Sequence, residues 1–183
     1  MELEMSVSAS QILTIVLIFF LSTTCLSSEG NTSRFTIKNE SVVLDLEFNI
    51  LWTRCSLGQT PSMNKCEGEA IAVDPATGMP KEFNYNDEAG WRLPTPQELS
   101  SLVICSSGLR ARLDEESDGG GCEGEFTAPT INTEIFPDTP TKAAFWSDGG
   151  CGGYAMATYF QNGSTYCYTL NDGPQYVRLV RDL

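Results

Sequence analysis

The 183-residue chain contains no histidine. That absence removes the Ser-His-Asp and Cys-His catalytic arrangements and every histidine-ligated metal centre. No Cys-x-x-Cys pair occurs, so the usual zinc spacings are missing too. Bases are scarce, 11 against 24 acids, for a net charge of −13. Such a chain repels phosphate backbones and anionic lipid, so no nucleic-acid partner is expected and sulfated polymers are disfavoured. Arg110 and Arg112 are the only close basic pair before Arg178 and Arg181. Nor does any apolar run reach the roughly 18 residues that a membrane span needs.

What is present begins with a short apolar run. Ile12 to Leu21 reads ILTIVLIFFL, with only Thr14 polar, and small polar residues follow through Ser28. This matches the hydrophobic region and cleavage zone of a secretory signal peptide over residues 1–28. The region before it lacks Lys and Arg and carries Glu2 and Glu4, both of which a start at Met5 would shed. Lipidation at Cys25 is an alternative, disfavoured by the bulk of Thr24. The expected mature chain, 29–183, holds 22 acids and 11 bases. It is expected to be secreted, periplasmic or displayed on the outer cell surface, and to be no transmembrane protein once cleaved.

Six cysteines remain in that chain: Cys55, Cys66, Cys105, Cys122, Cys151 and Cys167. An even number in an exported chain implies a disulfide framework. Spacing favours neighbours, pairing Cys55 with Cys66, Cys105 with Cys122, and Cys151 with Cys167. Hydrophobic residues at 41% and charged residues at 19% describe a globular domain with its own core.

Along the chain, Phe35–Lys38 and Ser41–Leu46 alternate about Asn39-Glu40 and predict a hairpin. Asn49–Cys55 predicts a third strand. Residues 56–86, rich in Gly, Pro, Asn and Asp, read as loop. Thr95-Pro96-Gln97-Glu98 forms a capping box with proline at the first helical position, and Leu99, Leu102 and Val103 supply one apolar face. The predicted helix runs from Pro96 to Cys105. Ala144–Ser147 predicts a strand. Tyr154–Phe160 and Thr165–Leu170 flank Asn162-Gly163, which suits a type I′ turn. Tyr176–Val180 predicts the last strand. The expected class is α+β, mostly antiparallel β with one or two short helices, stabilised by disulfides.

Several strings, in order, resemble the Lcl C-terminal domain family, named for the C-terminal region of a collagen-like bacterial adhesin. Gly90-Trp91-Arg92-Leu93-Pro94-Thr95 with Glu98-Leu99 is similar to its "WRLPT..EL" signature. Val43-Leu44-Asp45 and Leu51-Trp52-Thr53-Arg54-Cys55 resemble its opening. Pro129-Thr130-Ile131-Asn132, Phe136-Pro137-Asp138-Thr139 and Phe145-Trp146-Ser147 follow in its order. Tyr159-Phe160, Gly163 and Tyr176–Arg181 resemble its close. The resemblance spans Phe35 to Arg181. It implies a C-type-lectin-like or sulfatase-modifying-factor-like fold over 29–183, and a role in adhesion or carbohydrate binding. Relatives often carry a helix between Ile71 and Ala89, where Pro75, Gly78 and Pro80 forbid a long one here.

The expected function is therefore an extracytoplasmic, non-enzymatic binding module for a glycan or envelope component. The alternative is a structural or accessory envelope protein with a protein partner. A third reading, a copper and cysteine enzyme like the formylglycine-generating family, would use Cys151 and Cys167 as thiols. No catalytic residue is assigned. Trp146, Ser147, Asp148 and Tyr154 are the candidate ligand platform, against a core role for the aromatics. Asp114, Glu116, Asp118 and Glu125 fall at calcium-loop positions, with Gly119 at the turn. Against calcium, position 3 is Glu and no helix follows, so a solvated acidic loop competes. Apart from calcium, no cofactor is expected. Arg92 is expected to pair internally, and Arg178 and Arg181 to pair with carboxylates.

Overall fold

The computed structural model describes residues 34–74, 80–111, 120–151, 154–168 and 172–183, with side chains for all of these but 150, 151 and 154. The leader expected over 1–28, and Asp114, Glu116 and Asp118, lie outside the described residues.

The opening alternation folds as read. β1 (Phe35–Ile37) pairs antiparallel with β2 (Val42–Asp45), and Asn39 Oδ1 closes the turn by accepting from the Ser41 and Val42 amides. β3 (Ile50–Thr53) lies between β2 and the C-terminal β13 (Val180–Asp182), giving a four-stranded sheet in the order β1-β2-β3-β13. β3 is buried at every position. Its odd and even residues serve different cores. Trp52 packs with Val43, Leu99, Phe136 and Phe145, while Leu51 packs with Trp91, Leu93, Trp146 and Leu179. Trp52, Trp91 and Trp146 are all fully buried. Each such ring removes roughly 150–250 Å² from water, worth about 4–6 kcal/mol before entropy is counted.

The second sheet has five strands in the order β11-β10-β9-β12-β6: β6 (Ala72–Val73), β9 (Phe145–Cys151), β10 (Tyr154–Tyr159), β11 (Ser164–Tyr168) and β12 (Gln175–Tyr176). Only the β9–β12 contact in it is parallel.

Residues 56–86, read as loop, contain strands. β4 (Thr60–Ser62) and β5 (Lys65–Glu67) form one hairpin, and β7 (Phe83–Tyr85) pairs with β8 (Glu88–Trp91) in another. The turn-forming composition marks tight reversals between very short strands. Met63 and Asn64 take φ of 45° and 64°, and Asn86 and Asp87 take 51° and 61°. The type I′ signature expected at Asn162-Gly163 is absent there. Residues 160–163 form a four-residue loop in which only Gly163 has positive φ, at 75°. Phe160 is drawn into the core, and its carbonyl accepts from the Thr130 amide. Those two attachments lengthen the loop.

Helix α1 (Pro96–Ser100) has the capping box, with Thr95 accepting from the Glu98 amide and Glu98 from the Thr95 amide. It stops five residues before Cys105. The backbone tightens at Leu102 and Val103, then Val103 bridges Ile131 and the Ile104 amide donates to Thr130. Extended pairing thus takes the groups that further helix would need. The expected last strand is split. β12 belongs to the five-stranded sheet and β13 to the four-stranded one, so residues 177–179 cross between sheets. The Leu57 amide donates to Val177 and the Thr53 amide to Leu179 along that crossing.

Candidate functional site

The Trp91–Thr95 string is occupied with structure. Trp91 and Leu93 are core. Arg92 forks onto both Glu98 oxygens at 2.9 and 3.0 Å and onto Asp182 at 2.6 Å. Hydrogen bonds donated to Glu98, then to Asp182, raise the Arg92 pKa, and the one from Arg92 lowers that of Asp182. No free guanidinium fork is left here for a ligand. Arg181 pairs with Glu88 and lies 5.0 Å over the Trp91 ring.

Arg178 departs from the expectation of a carboxylate partner. It is fully buried and donates to the carbonyls of Thr53 and Arg54 and, at 2.9 Å, to the Thr139 hydroxyl. Burial pulls its pKa down to about 9. Arg54, 1% exposed, is held in the same way by the carbonyls of Ile135, Glu134 and Glu40 and by Asn64 Oδ1. Its pKa is lowered by burial and partly restored by Glu40. Arg178 collects the carbonyls of Thr53 and Arg54 at the end of β3, and Arg54 those of Glu40, Glu134 and Ile135, so each planar guanidinium is satisfied by backbone acceptors.

Of the proposed platform, Trp146 and Ser147 are 1% and 4% exposed. The Trp146 indole N–H donates to the Val73 carbonyl and the Ser147 hydroxyl to that of Met156. Neither presents a surface to a ligand. Asp148 is exposed, and its amide donates to Pro94. The Tyr154 side chain lies outside the description.

The aromatic surface is one strand further on. Residues paired across an antiparallel ladder share a face. The pairs Tyr159–Ser164, Ala157–Tyr166 and Ala155–Tyr168 therefore place three tyrosines on one face of β10–β11, with alanines between. All three rings are half-buried. Tyr168 meets Trp146 edge-on at 5.8 Å and Tyr166 at 6.5 Å. Burial raises the Tyr168 pKa, helped by neighbouring Tyr166, Asp172 and Tyr159. The signal for this face was present as tyrosines two apart in Ser164–Tyr168, a strand period that puts both on one side.

Two clefts lie elsewhere, of about 430 and 410 Å³, and they share Pro129 and Thr133. The first is walled by Ile104, Ala128 and Ile131, with Glu134 at its edge; the second has Asn64, Lys65, Asp138 and Thr139. The family-like string at Pro129 contributes to both clefts, and the one at Pro137 lines the second alone. Nothing in the sequence marked Asn64 and Lys65 as their neighbours.

Cys55–Cys66 and Cys105–Cys122 are disulfides, as the spacing suggested. Cys167 is also disulfide-bonded, and its partner lies outside the described side chains. Glu125 is exposed, and among the described residues no group of three His, Cys, Asp or Glu could hold a metal ion. No described helix is long and apolar enough to cross a membrane, which leaves β-barrels unaddressed.

Comparison with known proteins gave no match among curated proteins or solved structures. A family model, the Lcl C-terminal domain, matches residues 41–181, from the first hairpin through the crossing segment to β13. The chain belongs to the Lcl C-terminal domain family.

Proposed function

We propose that the protein is an exported, non-enzymatic adhesion module that binds a saccharide of the cell envelope or surroundings on the β10–β11 face. The observation that carries this reading is the tyrosine row. Tyr159, Tyr166 and Tyr168 share one face with Ala155 and Ala157; Tyr159 and Tyr168 pack on the core around Trp146 and Ala157, and all three rings stay partly exposed, offering ring edges and phenolic hydroxyls. Saccharides present C–H faces and hydroxyls in the same alternation, which such amphipathic rings complement. Family membership and disulfides, compatible with an oxidising compartment, support the adhesive and exported parts. The lectin-like version of the fold belongs to the same reading, supported by antiparallel sheets with a single short helix among the described residues and by long cross-linked loops. The absence of histidine supports a non-enzymatic role. Cysteine and copper chemistry needs thiolates, whereas Cys167 is held in a disulfide.

A glycan array probed with the secreted, oxidised chain tests this, run with calcium and with chelator. Saturable binding is expected, and Tyr166→Ala with Tyr168→Ala should abolish it while far-UV circular dichroism is unchanged. Loss in chelator would add the loop ending at Glu125 to the site. Silence in both arms would overturn the saccharide reading in favour of a protein partner.

A further inference from the structure

We infer that the two neighbouring clefts that share Pro129 and Thr133 form a second binding site, which takes an extended peptide by its terminal carboxylate. The argument starts from charge. The protein is strongly acidic, with a net charge of −13, yet three cations gather at one cleft. Lys65 is exposed on its wall, and no carboxylate among the described residues lies within ion-pair distance. Behind the wall are Arg54 and Arg178, both buried and both bonded to carbonyls in place of carboxylates. Each also reaches the lining directly, Arg54 through Asn64 Oδ1 at 3.3 Å and Arg178 through the Thr139 hydroxyl at 2.9 Å. A buried cation without a counter-charge projects its field further than a solvated one, because little water screens it. Asp138, in the same lining, opposes them, and its Oδ2 is turned to the Cys66 amide, from which it accepts. Glu40 offsets Arg54 in part.

The choice of a peptide rests on the walls. No aromatic ring lines either cleft, so a sugar has no face to stack on. Proline, threonine and isoleucine walls suit an extended chain, and the apolar end at Ile104, Ala128 and Ile131 suits an aliphatic side chain. Glu134 at that end repels an acid and so sets polarity, with the carboxylate directed to Lys65. Terminal carboxylate capture of this kind is a recurring mode of peptide recognition. The clefts are held by the Cys55–Cys66 disulfide on one side and Cys105–Cys122 on the other, since Lys65 adjoins Cys66 and Ile104 adjoins Cys105. The site is separate from the tyrosine face.

The test is calorimetric titration of the oxidised full chain with acetyl-Ala-Leu-Val, its C-terminal amide, and trigalacturonate. The acid should bind and the amide should bind at least about tenfold more weakly, the value of one charge-assisted hydrogen bond. Lys65→Glu should cause a comparable loss while leaving the fold intact, because Lys65 is exposed. Tyr166→Ala should leave the peptide affinity unchanged, which separates this site from the saccharide face. Equal binding of acid and amide, binding of trigalacturonate in place of the peptide, or no binding at millimolar peptide would each overturn the inference.

Discussion

Arg178 carries its guanidinium into the interior and finds carbonyls there. Three acceptors, on Thr53, Arg54 and Thr139, depend on it, and its Nε has no partner among the described protein groups. Phe136 and Phe145 cover the group at 4.8 and 5.6 Å. An apolar substitute would relieve the desolvated charge but strand the acceptors, each costing about 1–3 kcal/mol when buried. Arg178→Met is therefore expected to destabilise by about 3 kcal/mol, read as a lower urea midpoint at unchanged slope. Arg178→Lys should recover little, since an ammonium cannot span three acceptors in one plane. No loss in either variant would show that the guanidinium is dispensable. By contrast, Asp45 shows ordinary ion pairing: fully buried, it takes a two-pronged bond from Arg34 at 2.9 and 2.6 Å and a third from the Trp52 indole.

Helix α1 has only five residues, too few to be stable alone, so its ends matter more than its middle. Thr95 supplies one cap contact, and Thr95→Ala should cost about 1 kcal/mol. Glu98 serves two partners, capping the Thr95 amide and holding Arg92. Glu98→Ala should therefore cost more than Thr95→Ala, and Arg92→Ala should account for part of the difference in a double-mutant cycle. Equal losses would mean that the Arg92 pair contributes nothing. The hairpin β10–β11 shows the opposite balance. Its loop is set by Phe160 and Gly163, and a Cβ at Gly163 would stand 2.7 Å from Val103 and 2.9 Å from Cys122. Both space and backbone sign therefore require glycine there.

Across the whole molecule, the disulfides and the charge balance govern stability. The described disulfides close segments of 11 and 17 residues. Loops of that length contribute about 3 kcal/mol each through the unfolded chain. Reduction should thus lower the urea midpoint markedly, with Cys105→Ala/Cys122→Ala reproducing part of it. Acid should act through Asp182. Its carboxyl is lowered chiefly by Arg92, so its stabilisation is present above about pH 4 and is lost as pH falls through the lowered folded value. Because the pair is largely exposed, the effect should stay below about 1 kcal/mol, and Asp182→Asn should remove it from the acid limb of a pH–stability profile.

The sequence by itself determined the local rules: the first hairpin, the capping box, the two described disulfide pairs and the family. Each depends on neighbours within about 20 residues or on strings of fixed spacing, so periodicity and loop length suffice. Only the tertiary structure decided what long separation decides. β3 has no alternation because both its faces are buried, and β12 and β13 part because the chain must serve two sheets. Trp146, a platform residue by composition, became core when β9 took an interior position, and half-buried tyrosines flank it on β10 and the edge strand β11. Lys65 lines one cleft with Pro129 and Thr133 across more than sixty residues of chain, a juxtaposition that no local spacing encodes.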